Sequence, residues 1–205
     1  MTRGKYIVIE GNDGTGKSTQ VELLAKWLET EKGIETFVMH EPAGVPIADA
    51  IRTVIKNGEL ERDAETNLLL FTAARHEIWA HARTELQNGK WVLSARNYLS
   101  TLVYQGYAEG LDIELIRETT HRFTDKTYMN PDYTFILELA ESDRKKRIAQ
   151  RGELIHKDTF EDRDAQFQSK LDEGYRQIVD ELSIESIDAS SSIESIQEAL
   201  RSKLF

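Results

Sequence analysis

Five short apolar runs are spaced along the chain, and each has the length of a single β-strand. Most of their residues are apolar or β-branched, without the polar alternation of a strand that has one face in water. This pattern is typical of parallel strands whose two faces are both covered. It predicts strands at residues 6–10, 36–40, 91–95, 133–138 and 184–188.

The longer segments between these runs have apolar residues three and four positions apart, which is the spacing of one helix face. They predict helices at residues 20–32, 46–57, 65–88, 114–124, 142–151, 159–182 and 193–204. Strands that alternate with helices favour right-handed βαβ units, so the predicted fold class is α/β with a doubly wound, five-stranded parallel sheet. The chain has no internal repeat and no Pro- or Gly-rich linker, and we interpret residues 1–205 as one domain.

A glycine-rich motif lies between the first predicted strand and the first predicted helix. Residues 11–19 contain the pattern G-x-x-x-x-G-K-[ST] and read Gly11-Asn12-Asp13-Gly14-Thr15-Gly16-Lys17-Ser18-Thr19. A strand before and a helix after this pattern are typical of a phosphate-binding loop and disfavour a chance turn. Loop N–H groups and the positive end of the helix attract phosphate oxygens. The motif predicts a nucleotide site, with Lys17 on the outer phosphates and Ser18 as a ligand of Mg²⁺.

Composition and charge exclude several other classes of function. The chain has a formal net charge of −10, whereas general nucleic-acid binding needs a basic surface. It contains no cysteine, which excludes disulfides, cysteine-based zinc sites and a cysteine nucleophile. No apolar run has the length of a membrane span, and the apolar segment near the N-terminus is too short for a signal peptide. We therefore expect a cytoplasmic protein with neither nucleic acid nor membrane as partner.

Several further motifs follow the phosphate-binding loop in a fixed order. They are Glu41-Pro42-Ala43-Gly44 after the second strand, residues 68–75 in the long helix, residues 96–106 after the third strand, and an arginine-rich stretch at 144–162. In this order and spacing the chain resembles the thymidylate kinases, the bacterial type in particular, over nearly all of its 205 residues. The resemblance implies a P-loop nucleoside-monophosphate kinase that moves the γ-phosphoryl group of ATP, with Mg²⁺, to dTMP. It also implies a homodimer packed through helices.

Phe71 and Arg75 are four residues apart and share one face of the long predicted helix. The resemblance implies that Phe71 stacks on the thymine ring and that Arg75 hydrogen-bonds the base. An aromatic face suits a flat pyrimidine, and a guanidinium fork suits carbonyl oxygens. From the residues alone, a core phenylalanine beside a surface arginine remains an open alternative.

The segment after the third strand contains the next candidates for acceptor binding. Taken alone, Arg96 fits a salt-bridge partner, but the resemblance implies that it clamps the acceptor phosphate, where a bidentate donor is apt. Thr101, Tyr104 and Gln105 match positions that hold the base edge and the sugar, and Tyr104 implies rejection of a 2′-hydroxyl. Helix packing remains an open alternative for Thr101 and Tyr104.

Three more residues match the family positions around the acceptor. The resemblance places Asp13 near the acceptor sugar and phosphate, although an aspartate there also suits a turn. Glu41 matches an acid that orders the acceptor or its metal, and Arg52 faces the acceptor phosphate or, equally well, solvent. His40 stands where bacterial relatives usually have arginine.

Arg144, Arg147 and Arg151 lie on one helix face, at spacings of three and four residues. A basic face of this kind is often only solvated. The resemblance implies a helical lid at about residues 141–158, in which Arg144 binds ATP and Arg147 or Arg151 neutralises the transferring phosphoryl group. Thr15 at the variable position of the phosphate-binding loop agrees with a catalytic arginine supplied by the lid.

The chain departs from the family after the third strand. Thymidylate kinases usually have Asp-Arg-Tyr or Asp-Arg-His there, and this chain has Ala95-Arg96-Asn97. The lost acid leaves open a kinase for another pyrimidine deoxynucleoside monophosphate, modified or not, or a nucleotide-binding protein with little turnover. A P-loop GTPase is disfavoured because the chain lacks an Asn-Lys-x-Asp guanine motif.

Overall fold

The computed structural model describes residues 2–150, 159–160 and 163–205. Its five strands are β1 Tyr6–Gly11, β2 Thr36–His40, β3 Trp91–Ala95, β4 Tyr133–Glu138 and β5 Glu185–Asp188. All neighbouring strands are parallel, and the order across the sheet is β2-β3-β1-β4-β5. The predicted strands are confirmed to within one residue at each end, and so is the α/β fold class.

Helices cover both faces of this sheet. They are α1 Lys17–Lys32, α2 Pro46–Lys56, α3 Ala64–Gln87, α4 Tyr98–Thr101, α5 Ile113–Phe123, α6 Lys126–Met129, α7 Glu141–Gln150, α8 Ala165–Leu182 and α9 Ile193–Ser202. Among the described residues, none of these helices is both long and apolar enough to cross a membrane.

One helix prediction was wrong in extent, and the helical stretches at residues 98–108 and 126–129 were not predicted. The helix predicted from residue 159 begins only at Ala165, because the Asp164 side chain accepts the Phe167 N–H and caps a new helix there. Residues 98–108 were not predicted to be helical, but they form α4 and a π-helical segment, Leu102–Ala108. The Asn97 side chain caps α4 by accepting the Leu99 N–H.

Each face of the sheet packs against its own hydrophobic core, which explains why the strands have no polar face. Tyr6 and Val8 of β1 point to a core with α3, α5 and α8, whereas Ile7 and Ile9 point to a second core with α1 and α9. All four side chains are fully buried. Since alternate residues of a strand face opposite sides, a strand between two cores has no polar face.

The parallel register places the loops that contain candidate site residues at one edge of the sheet. Ile9 of β1 and His40 of β2 both pair with Ala95 of β3, so these three strands end side by side. The phosphate-binding loop follows β1, Glu41 follows β2 and Arg96 follows β3. Ligands of doubly wound sheets bind beyond this carboxyl edge.

Candidate active site

A cavity of about 500 Å³ lies beyond the carboxyl ends of β1, β2 and β3. Most of the residues predicted for nucleotide or acceptor binding line its wall: Asp13, Gly14, Gly16, Lys17, Ser18, Thr19, Glu41, Arg52, Phe71, Arg75, Arg96, Thr101, Tyr104, Gln105 and Arg147. Among the described candidates, Gly11, Asn12, Thr15 and Arg144 lie outside this wall. Arg151 lies outside the described residues.

The phosphate-binding loop depends on glycine at two close approaches. A Cβ on Gly11 would lie 2.5 Å from the Leu137 carbonyl oxygen, and a Cβ on Gly14 would lie 2.9 Å from that of Arg144. Both glycines also have positive φ angles, of 139° and 84°. The loop can therefore pack closely against β4 and α7, while Gly14 and Gly16 line the cavity.

Lys17 is buried at the start of α1 and points back into the loop. Its Nζ donates to the Asn12 carbonyl oxygen at 2.8 Å, and the Thr15 hydroxyl donates to the same oxygen at 2.9 Å. Burial, with the nearby charge of Arg96, lowers the pKa of Lys17 to about 7. An anionic ligand that reaches this amine would favour its protonated form.

Arg96 follows β3 and enters the cavity from a residue with φ of 76°, a left-handed conformation that is rare outside glycine. Its guanidinium pairs with Asp13 and donates to the Ser100 hydroxyl at 2.7 Å and to the Tyr175 hydroxyl at 3.2 Å. Burial opposes ionisation of Asp13, but Arg96 and Lys17 outweigh it and hold the pKa of that carboxyl well below its usual range. Arg96 is thus a fixed, charged donor beside the phosphate-binding loop.

Glu10 organises this turn and was missed from the sequence. It is fully buried and accepts the N–H groups of Asn97 at 2.8 Å and Ser100 at 3.1 Å, together with the Tyr175 hydroxyl at 3.1 Å. The available signal was an acid inside an apolar strand, directly before the loop. Tyr175, from α8, was also missed, because only the folded chain brings α8 next to Glu10.

Arg75 is buried in the cavity wall, with 2% of its surface exposed, so the alternative of a surface arginine is wrong. It donates from Nε to Glu41 at 2.7 Å, from Nη1 to the Thr101 hydroxyl at 2.6 Å and from Nη2 to the Asn97 carbonyl at 2.9 Å. The Phe71 ring lies 5.2 Å from its Cζ. These contacts use three of the five N–H donors of the guanidinium.

Tyr104 and Gln105 project into the cavity from the π-helical segment. The Tyr104 hydroxyl lies 3.2 Å from Asn12 Oδ1 and 3.3 Å from Asp13 Oδ2. Its ring meets Phe160 edge-on at 5.4 Å, and Phe160 also lines the cavity. The buried Gln105 Oε1 has no hydrogen-bond partner within the described part of the chain, although its amide nitrogen donates to Glu109.

Arg144 and Arg147, the two described arginines of the predicted lid, have different surroundings. Arg147 lines the cavity and donates to the Ala189 carbonyl at 2.9 Å, which brings α7 to the loop after β5. Arg144 is buried and donates to both oxygens of Asp172 on α8, at 3.0 Å each. The structure therefore places the guanidinium of Arg144 behind the loop rather than in the cavity wall.

A divalent cation would find few uncommitted oxygen ligands here. Ser18 is exposed at the first turn of α1, on the cavity wall. Of the described residues, two carboxylates line the cavity, and both are paired: Asp13 with Arg96 and Glu41 with Arg75. No group of three or more metal-binding side chains occurs among the described residues. The site thus fits a cation that shares its coordination with phosphate oxygens.

Comparisons of the sequence and of the structure with known proteins agree on one family. The model of the thymidylate kinase family matches residues 9–200. A thymidylate kinase of Exiguobacterium sibiricum is 36% identical over 201 residues, covering 96% of this chain and 92% of that protein. One of Carboxydothermus hydrogenoformans is 33% identical over 195 residues, covering 95% and 93%. The crystal structure of thymidylate kinase from Ehrlichia chaffeensis has the same fold, with a TM-score of 0.78 at 24% identity and 99% of each chain covered.

Proposed function

Because the chain belongs to the thymidylate kinase family, we propose that its cavity transfers the γ-phosphoryl group of ATP to dTMP, giving ADP and dTDP. One observation carries this proposal: the phosphate-binding loop, Arg96 and the Phe71–Arg75 pair line the same cavity. The loop suits a nucleoside triphosphate, and the other residues suit a flat base joined to a single phosphate.

The donor binds at the phosphate-binding loop. Backbone N–H groups of residues 13–18 and the N-terminus of α1 attract the phosphates, and Lys17 turns from Asn12 to the β- and γ-phosphates. The exposed Ser18 hydroxyl would hold Mg²⁺, which would offset negative charge on the phosphates. Arg147 lies beside the loop and supplies further positive charge, and Arg151 remains an alternative for that role.

The acceptor binds between α3 and the turn after β3. Phe71 stacks on the thymine, and the free N–H donors of Arg75 meet its edge together with Thr101 and Gln105. Arg96 holds the acceptor phosphate, with Arg52 at the rim of the cavity. Asp13 and Tyr104 lie together near the sugar position, where the tyrosine ring leaves little room for a 2′-hydroxyl.

The reaction needs positioning and charge neutralisation rather than a covalent intermediate. An oxygen of the dTMP phosphate attacks the γ-phosphorus while the bond to the ADP oxygen breaks. Arg96 orients the nucleophile, and Lys17 and the lid arginines stabilise charge on the transferring group.

The assembly and location of the protein are further proposals. We infer a homodimer, since α3 and α5 pack together and expose the apolar side chains of Leu69, Leu115 and Phe123.

We also infer a single domain with a lid near residues 141–158, because one family match spans most of the chain. A cytoplasmic location agrees with the absence of cysteine.

Acceptor choice is the direct test of this function. We expect dTMP to be phosphorylated in preference to dCMP, dAMP and UMP, because a wrong base leaves buried donors of Arg75 unpaired at about 1–3 kcal/mol per group. An ADP-release assay over this panel measures kcat/KM for each acceptor. Equal turnover of dTMP and dAMP would contradict the assignment, and preference for dCMP, another pyrimidine deoxynucleotide, would favour the alternative acceptor.

Ala95→Asp is expected to raise kcat with dTMP and to lower the Mg²⁺ concentration needed for half-maximal rate. Ala95 lines the cavity, where both carboxylates are already paired with arginines, so an added carboxylate would supply a hard ligand. Ala95→Asn, which has the same shape without the charge, is the matched control. An unchanged Mg²⁺ dependence together with unchanged or lower turnover in Ala95→Asp would show that the lost acid is not a missing catalytic element.

A further inference from the structure

Tyr128 reaches the acceptor side of the site from α6, which does not line the cavity. Its hydroxyl donates to the Glu41 carboxylate and lies 2.9 Å from each of the two oxygens. The same carboxylate accepts Arg75 Nε at 2.7 Å. A chain of contacts thus runs from α6 through Glu41 to the guanidinium that faces the acceptor base.

The position of the Tyr128 hydroxyl is fixed by its surroundings. The ring is fully buried, with centroids 5.1 Å from Trp79, 6.1 Å from Tyr6 and 6.3 Å from Tyr98. The helix is anchored by Asp125, which caps it through the Tyr128 N–H at 3.0 Å and accepts the Trp79 indole N–H at 2.8 Å. The tyrosine has therefore little freedom to turn its hydroxyl away from Glu41.

Glu41 can hold Arg75 firmly only while it is ionised. Burial raises the pKa of Glu41 to about 7, and the nearby Glu10 acts in the same direction, whereas Arg75 and the Tyr128 hydroxyl favour the ionised form. The groups that face this carboxylate are Arg75 from α3, Tyr128 from α6, and Glu10 and Tyr6 from β1. Within this set, Tyr128 is the neutral residue whose single O–H donates to the carboxylate, with its oxygen 2.9 Å from each carboxylate oxygen.

We propose that Tyr128 is a positioning residue for base recognition: it fixes the Glu41 carboxylate, which in turn holds the Arg75 guanidinium against the acceptor base. The Nε contact to Glu41 and the Nη contacts to Thr101 and Asn97 leave the remaining Nη donors in one orientation. This inference rests on the proposed function for the identity of the base. The contact chain that it describes is a property of the protein without ligand.

The kinetic test compares Tyr128→Phe with wild type between pH 5.5 and 8.5. We expect KM for dTMP to rise about 10-fold near neutral pH, as for the loss of a hydrogen bond to a charged group, with kcat and KM for ATP within about twofold of wild type. Without the hydroxyl, ionised Glu41 loses a donor and its pKa rises. The acid limb of the kcat/KM profile for dTMP therefore moves to higher pH.

Tyr98→Phe is the matched control, because Tyr98 is a buried tyrosine of the same aromatic cluster and its hydroxyl does not contact Glu41. For Tyr98→Phe, the KM for dTMP and the acid limb of the kcat/KM profile should match those of wild type. If Tyr128→Phe also matches wild type, or if Tyr98→Phe reproduces its effects, the positioning role is overturned. A proportional change in kcat and in KM for both substrates overturns it too, because general loosening of the fold would produce that result.

A spectroscopic measurement separates this inference from the proposed function. In ¹H–¹⁵N spectra, the Arg75 Nε–H resonance can be assigned by its loss in Arg75→Lys. We expect this N–H to be protected from solvent exchange while Glu41 is ionised. As the pH is lowered, the protection should be lost at a higher pH in Tyr128→Phe than in wild type. Failure of wild type to phosphorylate dTMP would refute the proposed function alone. An Nε–H signal with the same pH dependence in both proteins would refute the positioning role, whatever the acceptor is.

Discussion

Replacing Lys17 by methionine is expected to lower kcat by about 10²–10³-fold without unfolding the protein, because it removes one preorganised cation from the transferring phosphates. Burial lowers the pKa of Lys17 to about 7, so its charged form is already disfavoured in the folded protein without ligand. Its removal should therefore leave the melting temperature unchanged or higher. Steady-state kinetics with saturating ATP and dTMP, together with thermal melting, measure both effects.

The control for this change is Lys26→Met, since Lys26 is exposed on the same helix and lies outside the cavity wall. Lys26→Met should retain the wild-type kcat. A Lys17→Met protein with near-wild-type kcat would mean that the loop backbone and the arginines stabilise the transferring group without Lys17. A large fall in its melting temperature would mean that the contact with Asn12 is structural.

Arg96→Lys is expected to raise KM for dTMP by about 10–100-fold and to lower kcat, while the Kd for ATP stays close to wild type. Lysine retains the charge but lacks the planar fork that donates to Asp13, Ser100 and Tyr175 and that suits a phosphate. The retained charge also keeps a cation at this position, where Arg96 pairs with Asp13 and lies 3.9 Å from Glu10. Initial rates against dTMP and direct titration with ATP measure the two predictions.

Arg3→Lys is a suitable control for Arg96→Lys. Arg3 makes a similar two-contact pair with Asp132, but it lies near the start of β1, at the opposite end of the sheet. Its replacement should leave both substrates unaffected. Weak ATP binding with normal use of dTMP in Arg96→Lys would contradict the assignment of Arg96 to the acceptor phosphate.

Local patterns were sufficient to locate the strands and the phosphate-binding loop. A buried parallel strand needs an uninterrupted apolar run, and a loop that packs as closely as Gly11 on Leu137 needs glycine, so both leave signals in neighbouring residues. The π-helical segment left no such signal. Residues 102–108 combine aliphatic, aromatic, small and polar residues whose packing against α8 is decided by the fold.

The candidate site was predicted less completely than the fold. Phe71, Arg75 and Arg96 were predicted as site residues because the motif order implied them, and all three line the cavity. Arg144 satisfied the same spacing argument as Arg147, but its guanidinium pairs with Asp172 from a helix that follows later in the chain. Spacing on one helix indicates a shared face, whereas the partner of each side chain depends on which element packs there.

The sequence by itself determined the βαβ order, the phosphate-binding loop and the kind of chemistry that its residue types support, because each of these depends on residues close together in the chain. Tertiary structure alone decided the contacts that orient the site. Glu10 meets Tyr175 across 165 positions, and Glu41 meets Arg75 and Tyr128 across 34 and 87. A buried carboxylate must be satisfied by whichever donors the packed elements bring to it, and periodicity along one segment contains no information about those donors.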